Sequence, residues 1–403
     1  MLIDPDVVAR LRAGDDGPVC AYVYDLEGLR AHAAAAAAAL PEGGELFYAV
    51  KANSEAPIIA ALAGIVAGFE VGSAGEIDLV RAAAPGAPIV LGGPGKTDAA
   101  LAAAALDGGV AAVHVESLHE LRRADHLAAG LGVTLPVALR VNLAGPLPVA
   151  TLAMAGRPTQ FGIDESDVPA ALALVQRCRH LTFAGFHFHC LSNHHDAPAH
   201  ARMVAGYLDR SAGWAADAGV SVGVVNAGGG IGVDYAALDR PFDWPGFCTD
   251  LGARLAARAP APVRLRFECG RYLVAPFGAY VTEVLDVKTN HGACFAIVRG
   301  GTHHFRLPAS WRHSHPFTVV PIDEWPYPFA RPAVRGAPVT VAGELCSPKD
   351  ILARDTPVTE LRAGDLLWFH HTGAYGWSIS HHDFLSHPHP RRLFVQSRQP
   401  SRA

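Results

Sequence analysis

Leu46-Phe47-Tyr48-Ala49-Val50-Lys51-Ala52-Asn53 is an apolar run that ends on a lysine and passes, from Glu55 to Ala63, into a stretch with helical spacing. A strand this apolar should close on a small or apolar residue unless the ammonium has a partner. Desolvation would lower the lysine pKa and make its amine a nucleophile, able to form a Schiff base with an aldehyde cofactor or a carbonyl substrate. A strand-end lysine whose stem snorkels to solvent is the plain alternative. The rest of the chain decides between them.

Working outward, the same alternation recurs. Candidate strands lie at 46–50, 69–72, 88–92, 112–115, 136–142, 182–189, 222–226 and 263–268, each followed by a segment of helical spacing or a Gly-rich turn. Eight such units in series predict a parallel (β/α)₈ TIM barrel over residues 26–270 rather than an open sheet. Beyond about residue 271 the helical runs nearly vanish and Pro and Gly become frequent. Ala279 to Val287, Ala293 to Val298, Pro338 to Val341 and Asp365 to Phe369 read as strands there. Residues 271–403 are therefore expected to form an all-β domain, a sandwich or barrel, to which residues 1–25 add a strand through Ala21-Tyr22-Val23-Tyr24. No Gly/Ser linker separates the two parts, so we expect them to pack together.

A chain of 403 residues, 50% hydrophobic and only 18% charged, is long enough for one large core and one smaller one. Its formal charge of −5 gives no reason to expect nucleic acid or an anionic membrane as partner. No apolar run reaches the ~18 residues of a membrane span and no secretory signal pattern opens the sequence, so a cytoplasmic location is expected. The seven cysteines (20, 178, 190, 248, 269, 294 and 346) never form a Cys-x-x-Cys pair, which argues against a disulfide framework or a zinc ribbon. His187 and His189 would share one strand face, as two metal ligands must, but no Asp or Glu lies at a supporting spacing and no metal is expected.

The barrel reading predicts where chemistry belongs, at the C-terminal ends of the strands. Lys51, Glu70, Ser73, Asn142, His189, the Gly228-Gly229-Gly230 run and Glu268 all fall there. Asn226-Ala227-Gly228-Gly229-Gly230-Ile231-Gly232 carries four glycines in five residues from 228 to 232, an entropic cost that implies close approach of the backbone to something; its N–H groups could form a nest for a phosphate. Arg271, three residues after Glu268, supplies a fork-shaped cation for the same anion. A lysine, a phosphate cradle and a carboxylate at one barrel mouth match the needs of pyridoxal 5′-phosphate: covalent attachment, an anchor, and a partner that keeps the ring nitrogen protonated.

The sequence resembles the fold-type III pyridoxal-phosphate decarboxylases, the group that acts on ornithine, arginine and diaminopimelate, with alanine racemase as a more distant relative. The resemblance runs over nearly the whole chain. It rests on Tyr48-Ala49-Val50-Lys51-Ala52-Asn53, Phe69-Glu70-Val71-Gly72-Ser73-Ala74-Gly75-Glu76, Gly95-Lys96-Thr97, Phe186-His187-Phe188-His189-Cys190-Leu191-Ser192, the Gly228 to Gly230 run, Glu268-Cys269-Gly270-Arg271, Gly343-Glu344-Leu345-Cys346-Ser347-Pro348-Lys349-Asp350 and Gly373-Ala374-Tyr375. It implies an alanine-racemase-like barrel in which Lys51 holds the cofactor, His189 stacks on its ring and Glu268 pairs with the ring nitrogen. It further implies that Ser192, Gly228, Gly229, Gly230, Gly270, Arg271 and Tyr375 hold the phosphate. Cys346 is implied to reach the active site of the other subunit of a homodimer and to protonate Cα after carbon dioxide leaves.

Departures from the family pattern narrow the substrate. Relatives place an acidic residue after the cysteine to hold a distal ammonium; here it is Ser347. Cys269 stands for a proline, Leu191 precedes Ser192 where glycine is usual, and a common Lys-Phe-Gly is Gln160-Phe161-Gly162. Gly300-Gly301-Thr302-His303-His304-Phe305-Arg306-Leu307-Pro308-Ala309, with Trp311 and His313-Ser314-His315-Pro316-Phe317 after it, resembles decarboxylases of carboxylate-siderophore pathways that act on an amino acid amide-linked to citrate. His303, His304, Arg306, Ser347 and Asp350 are the candidate substrate-binding residues, since Arg and His can hold a polycarboxylate. Decarboxylation of a free, diaminopimelate-like amino acid is the alternative. A racemase, or a catalytically dead regulatory homologue, is more remote, because a dead copy has no chemical reason to keep Lys51, His189, Glu268, Arg271 and Cys346 together.

Overall fold

The computed structural model describes residues 3–14, 17–145, 148, 150, 152–258 and 263–396. Eight strands, Gly44–Ala49, Gly68–Val71, Ile89–Leu91, Val110–Val115, Leu135–Asn142, Leu181–His187, Val224–Asn226 and Arg264–Cys269, pair in parallel in chain order. The eighth returns to the first, Glu268 opposite Phe47, and closes the barrel. Alternation of apolar strand and Ala/Leu-rich helix leaves this parallel solution because each crossover helix buries its apolar stripe on the sheet.

Helix starts are written in the sequence. Ser73, Thr97, Ser117, Asp196 and Asp243 each accept a backbone N–H from the first turn of the helix they open. Two Ser-x-x-Glu sequences do more: Glu76 accepts Gly72 N–H at 2.7 Å and Glu120 accepts Glu116 N–H at 2.8 Å, so each ties a strand end to the helix that follows. Inside the barrel Phe47 packs with Val90, Ala112 and Ala138. Near the strand starts the Arg266 guanidinium lies 4.1 Å from the Phe47 ring centroid and pairs with Glu45 at 2.7 Å. Gly185 is forced: its φ is +148° and a Cβ there would fall on the Val224 carbonyl.

His200, on the helix Ala197–Ala218, is fully buried, edge-on to Phe242 and Phe247, with Nδ1 3.2 Å from His194 Nδ1. Burial, and then the neighbouring His194, push its pKa down from 6.5 to about 3. Between those values the unfolded chain binds a proton that the folded chain refuses, so stability falls as pH drops below 6.5, by at most about 1.4 kcal/mol per pH unit. Thermal melts from pH 7 to pH 5 should show that slope, and His200→Phe should flatten it. A slope unchanged in the variant would assign it to other groups.

The chain forms two compact units, one of residues 30–234 and 239–273, which holds the barrel, and one of residues up to Leu29, Tyr235–Leu238 and Val274 onward. In the second unit a sheet runs in the order Phe317–Val320, Leu366–Phe369, Gly278–Asn290, Ala293–Val298, Ala333–Ala342 and Ile351–Arg362. Cys20–Asp25 joins it, antiparallel to Gly278–Asn290 with Val23 opposite Ala279, and parallel to Arg391–Val395. Ala21, Val23, Ala279, Val281, Leu366 and Trp368 form its core with Val7 and Leu11 of an N-terminal helix, Pro5–Arg12.

Candidate active site

Lys51 sits in a single 3₁₀ turn, Val50–Ala52, directly after the first barrel strand. Val50 and Ala52 are buried, yet the Lys51 side chain is 45% exposed, and its Nζ lies 2.6 Å from Glu70 Oε2. Desolvation, expected from the apolar run, stops one residue short of the amine. The lysine is instead held by the carboxylate that ends the second strand. Burial raises the Glu70 pKa, the Lys51 charge opposes this, and Glu268 adds to it.

Glu268, on the eighth strand, is buried and surrounded by a set of side chains that sequence spacing could not assemble. Asn226 at the end of the seventh strand donates from Nδ2 to Glu268 Oε1 at 2.7 Å. The orientation of that amide is fixed, because Asn226 Oδ1 accepts Gly228 N–H at 2.9 Å. His187 Nε2 lies 3.3 Å from Glu268 Oε2 and His114 Nδ1 3.7 Å from Oε1, with the two imidazoles stacked 4.0 Å apart. Burial first, and nearby cations next, hold the His187 pKa well below its usual value, so the carboxylate faces neutral rings. The absence of a supporting carboxylate for His187, argued from spacing, is overturned in three dimensions: His114, His187 and Glu268 place ligand-type atoms within 4.8 Å of one another. Sequence reasoning gave His114, His187 and Asn226 no role beside Glu268.

His189 follows the sixth strand and accepts Gly229 N–H on Nδ1 at 3.2 Å, which leaves any ring proton on Nε2. The glycines at 228, 229 and 230 are crowded by backbone: a Cβ at each would strike the carbonyls of Phe188, Glu268 and Leu191 respectively, and Gly228 and Gly230 have φ of +66° and +94°. Strand-end packing thus demands them, whereas the sequence reading attributed the close approach to a ligand. A Cβ on Gly270 would meet that of Ala52 at 2.9 Å, so the Glu268 strand end also packs on the lysine turn. Arg271 is buried at the start of the helix Arg271–Val274, and Ser192 lies in a short strand, Leu191–Ser192. Cys269 is buried and burial drives its thiol pKa far up, so this replacement for proline has no chemistry of its own. Arg140 pairs with Glu116 at 2.6 Å and Lys96 with Glu120 at 2.9 Å, both buried, and these pairs tie the segments after the third and fourth strands to each other and to the fifth strand.

The remaining candidates belong to the β unit. Cys346 is exposed. Asp350 is buried and accepts N–H groups from Thr302 at 2.6 Å and Leu345 at 2.9 Å, so it shapes the loop that presents Cys346. His303 and His304 are also wholly buried, with pKa values pushed down to about 4 and about 2 chiefly by burial. Turn packing at Gly300 to Phe305 carries both rings inward, into the β unit. Arg306 and Ser347, in contrast, line a cavity of about 870 Å³. Tyr375 is partly buried with φ of +54°.

Residues 26–275 match the model of a family described as the pyridoxal-dependent decarboxylase, pyridoxal binding domain. The chain belongs to this family. The enzyme is a pyridoxal-phosphate-dependent decarboxylase acting on a small molecule. It is 45% identical, over 98% of its own length and 98% of the other chain, to the 2-[(L-alanin-3-ylcarbamoyl)methyl]-2-hydroxybutanedioate decarboxylase of Staphylococcus aureus. It is 31% identical to the L-glutamyl-[BtrI acyl-carrier protein] decarboxylase of Niallia circulans, over 93% of this chain and 88% of that one. Diaminopimelate decarboxylase of Helicobacter pylori, solved with L-lysine, shares the fold at a TM-score of 0.84, with 24% identity, 98% of this chain and 95% of that one covered.

The barrel-mouth residues fit the cofactor. An accessible primary amine stands beside a buried carboxylate, His189 lies against the glycine turn at 228–230, and a buried arginine follows the strand that carries Glu268. Bound there, pyridoxal phosphate supplies an electron sink for the bond-breaking step.

Proposed function

We propose that this enzyme removes carbon dioxide from an α-amino acid moiety amide-linked to a citrate-like polycarboxylate, a step in assembly of a carboxylate siderophore. In this reading Lys51 holds the cofactor, His189 covers its ring, and Glu268 keeps the ring nitrogen protonated. Ser192, the Gly228 to Gly230 turn, Gly270, Arg271 and Tyr375 take its phosphate. Asn226 acts through Glu268, as a positioning residue. The names of the two bacterial relatives both describe an amino acid joined to a larger group, which supports a conjugate rather than a free amino acid. The observation that carries the reading is local: Ser347 follows Cys346 where a distal ammonium would need a carboxylate, and Arg306 lines the adjacent cavity. Arg306→Ala should raise KM for the citryl conjugate at least about tenfold while leaving a free diamino acid nearly untouched. Steady-state kinetics on both substrates check this; equal effects would remove the conjugate from the reading.

The proposal includes a homodimer in which Cys346 of one copy serves the barrel of the other and delivers a proton to Cα. The seven unbridged thiols suit a reducing cytoplasm. Mixing inactive Lys51→Ala protein with inactive Cys346→Ala protein, under conditions that exchange subunits, should restore activity, because one site of each mixed dimer regains both residues. Activity that stays absent after verified exchange would place both residues in one chain.

A further inference from the structure

The cavity beside Cys346 holds more cations than substrate binding by Arg306 alone explains. Arg306, Arg312, Lys349 and Arg354 all line it, with His313 and His381. They arrive from separate segments. Arg306 and Arg312 flank the short helix Leu307–Trp311, Arg312 in a left-handed conformation with φ of +54°, while Lys349 lies three residues after Cys346 and Arg354 is on the strand Ile351–Arg362. Ser314 fixes the loop to that strand, accepting Arg354 N–H at 2.8 Å and donating to Arg354 O at 3.1 Å. None of the four long cations makes an ion pair with a described residue, although fourteen other arginines do. The one carboxylate in the lining, Asp350, is buried and already engaged by the N–H groups of Thr302 and Leu345. Like charges gathered on one concave wall repel one another and raise the local concentration of anions.

We propose that Arg312, Lys349 and Arg354, with Arg306, form a subsite for the free carboxylates of the substrate's polycarboxylate half. This rests on the conjugate reading above and assigns its specificity to named residues. Forked guanidinium groups match carboxylates in pairs, and Leu345 and Ser347 on the same wall flank the Cys346 thiol. The amino acid end would then reach the thiol while the carboxylates stay on the cationic wall.

The test is calorimetric titration of the holoenzyme with citrate and, separately, with inorganic phosphate, for wild type, Arg312→Gln, Arg354→Gln, the double variant, and Arg335→Gln as a control whose side chain pairs with Glu360 outside this cavity. Citrate should bind wild type and the control alike, bind the single variants several-fold more weakly, and bind the double variant more weakly by about 100-fold. KM for the citryl conjugate should rise in parallel with kcat largely kept. Citrate affinity unchanged in all the variants, or phosphate binding as tightly with the same losses, would overturn the subsite. Wild-type enzyme that turns over a free diamino acid but not the conjugate would overturn the conjugate reading itself, whatever citrate does.

Discussion

Lys51→Ala protein should purify colourless, lose no more than a little thermal stability, and fall in activity by at least about 10,000-fold. The side chain reaches accessible space from a rigid turn between two buried residues, so its removal deletes a functional amine and very little packing. Glu70 is then left buried without its 2.6 Å partner, and its pKa, already raised, should rise further. Absorbance spectra after gel filtration and a turnover assay check the first two points. A yellow Lys51→Ala protein with wild-type turnover would end the assignment of the cofactor to this lysine.

Glu268→Gln should keep cofactor binding largely intact and cut kcat about 100- to 1,000-fold, the usual effect of removing a preorganised charge partner. The amide can still meet Asn226 and the two imidazoles, but it cannot carry the charge that keeps a ring nitrogen protonated. Asn226→Ala is the milder form of the same lesion. It removes a charge-assisted hydrogen bond worth about 1.5–3 kcal/mol, so kcat should drop roughly 10- to 100-fold. Glu268→Gln enzyme with most of its kcat would show that the carboxylate is not the charge partner.

The barrel was legible because each strand is a short apolar run bounded by turn residues and followed by a helical stretch or a Gly-rich turn, eight times in series. The cluster around Glu268 was not legible. His114, His187 and Asn226 come from three different strands, and a side chain's partner across a barrel leaves no trace in local spacing. The environment of the substrate-side candidates was hidden for a related reason. His303 and His304 read as side chains able to hold a carboxylate, and their burial inside the β unit, which pushes both pKa values down, left no mark in the spacing, while Arg312 and Arg354, which share one cavity wall, carried no motif. Ile351–Arg362 was missed as a strand because Arg, Asp, Pro and Glu interrupt its apolar alternation, and several of these side chains are exposed.

Release of carbon dioxide by the purified holoenzyme, followed by mass spectrometry across free and citryl-linked diamino acids, bears on the central claim most directly. Loss of carbon dioxide from a citryl-linked diamino acid, at a kcat/KM at least about 100-fold above that for any free diamino acid, is the expected result. Preferential decarboxylation of free diaminopimelate, ornithine or lysine would contradict it.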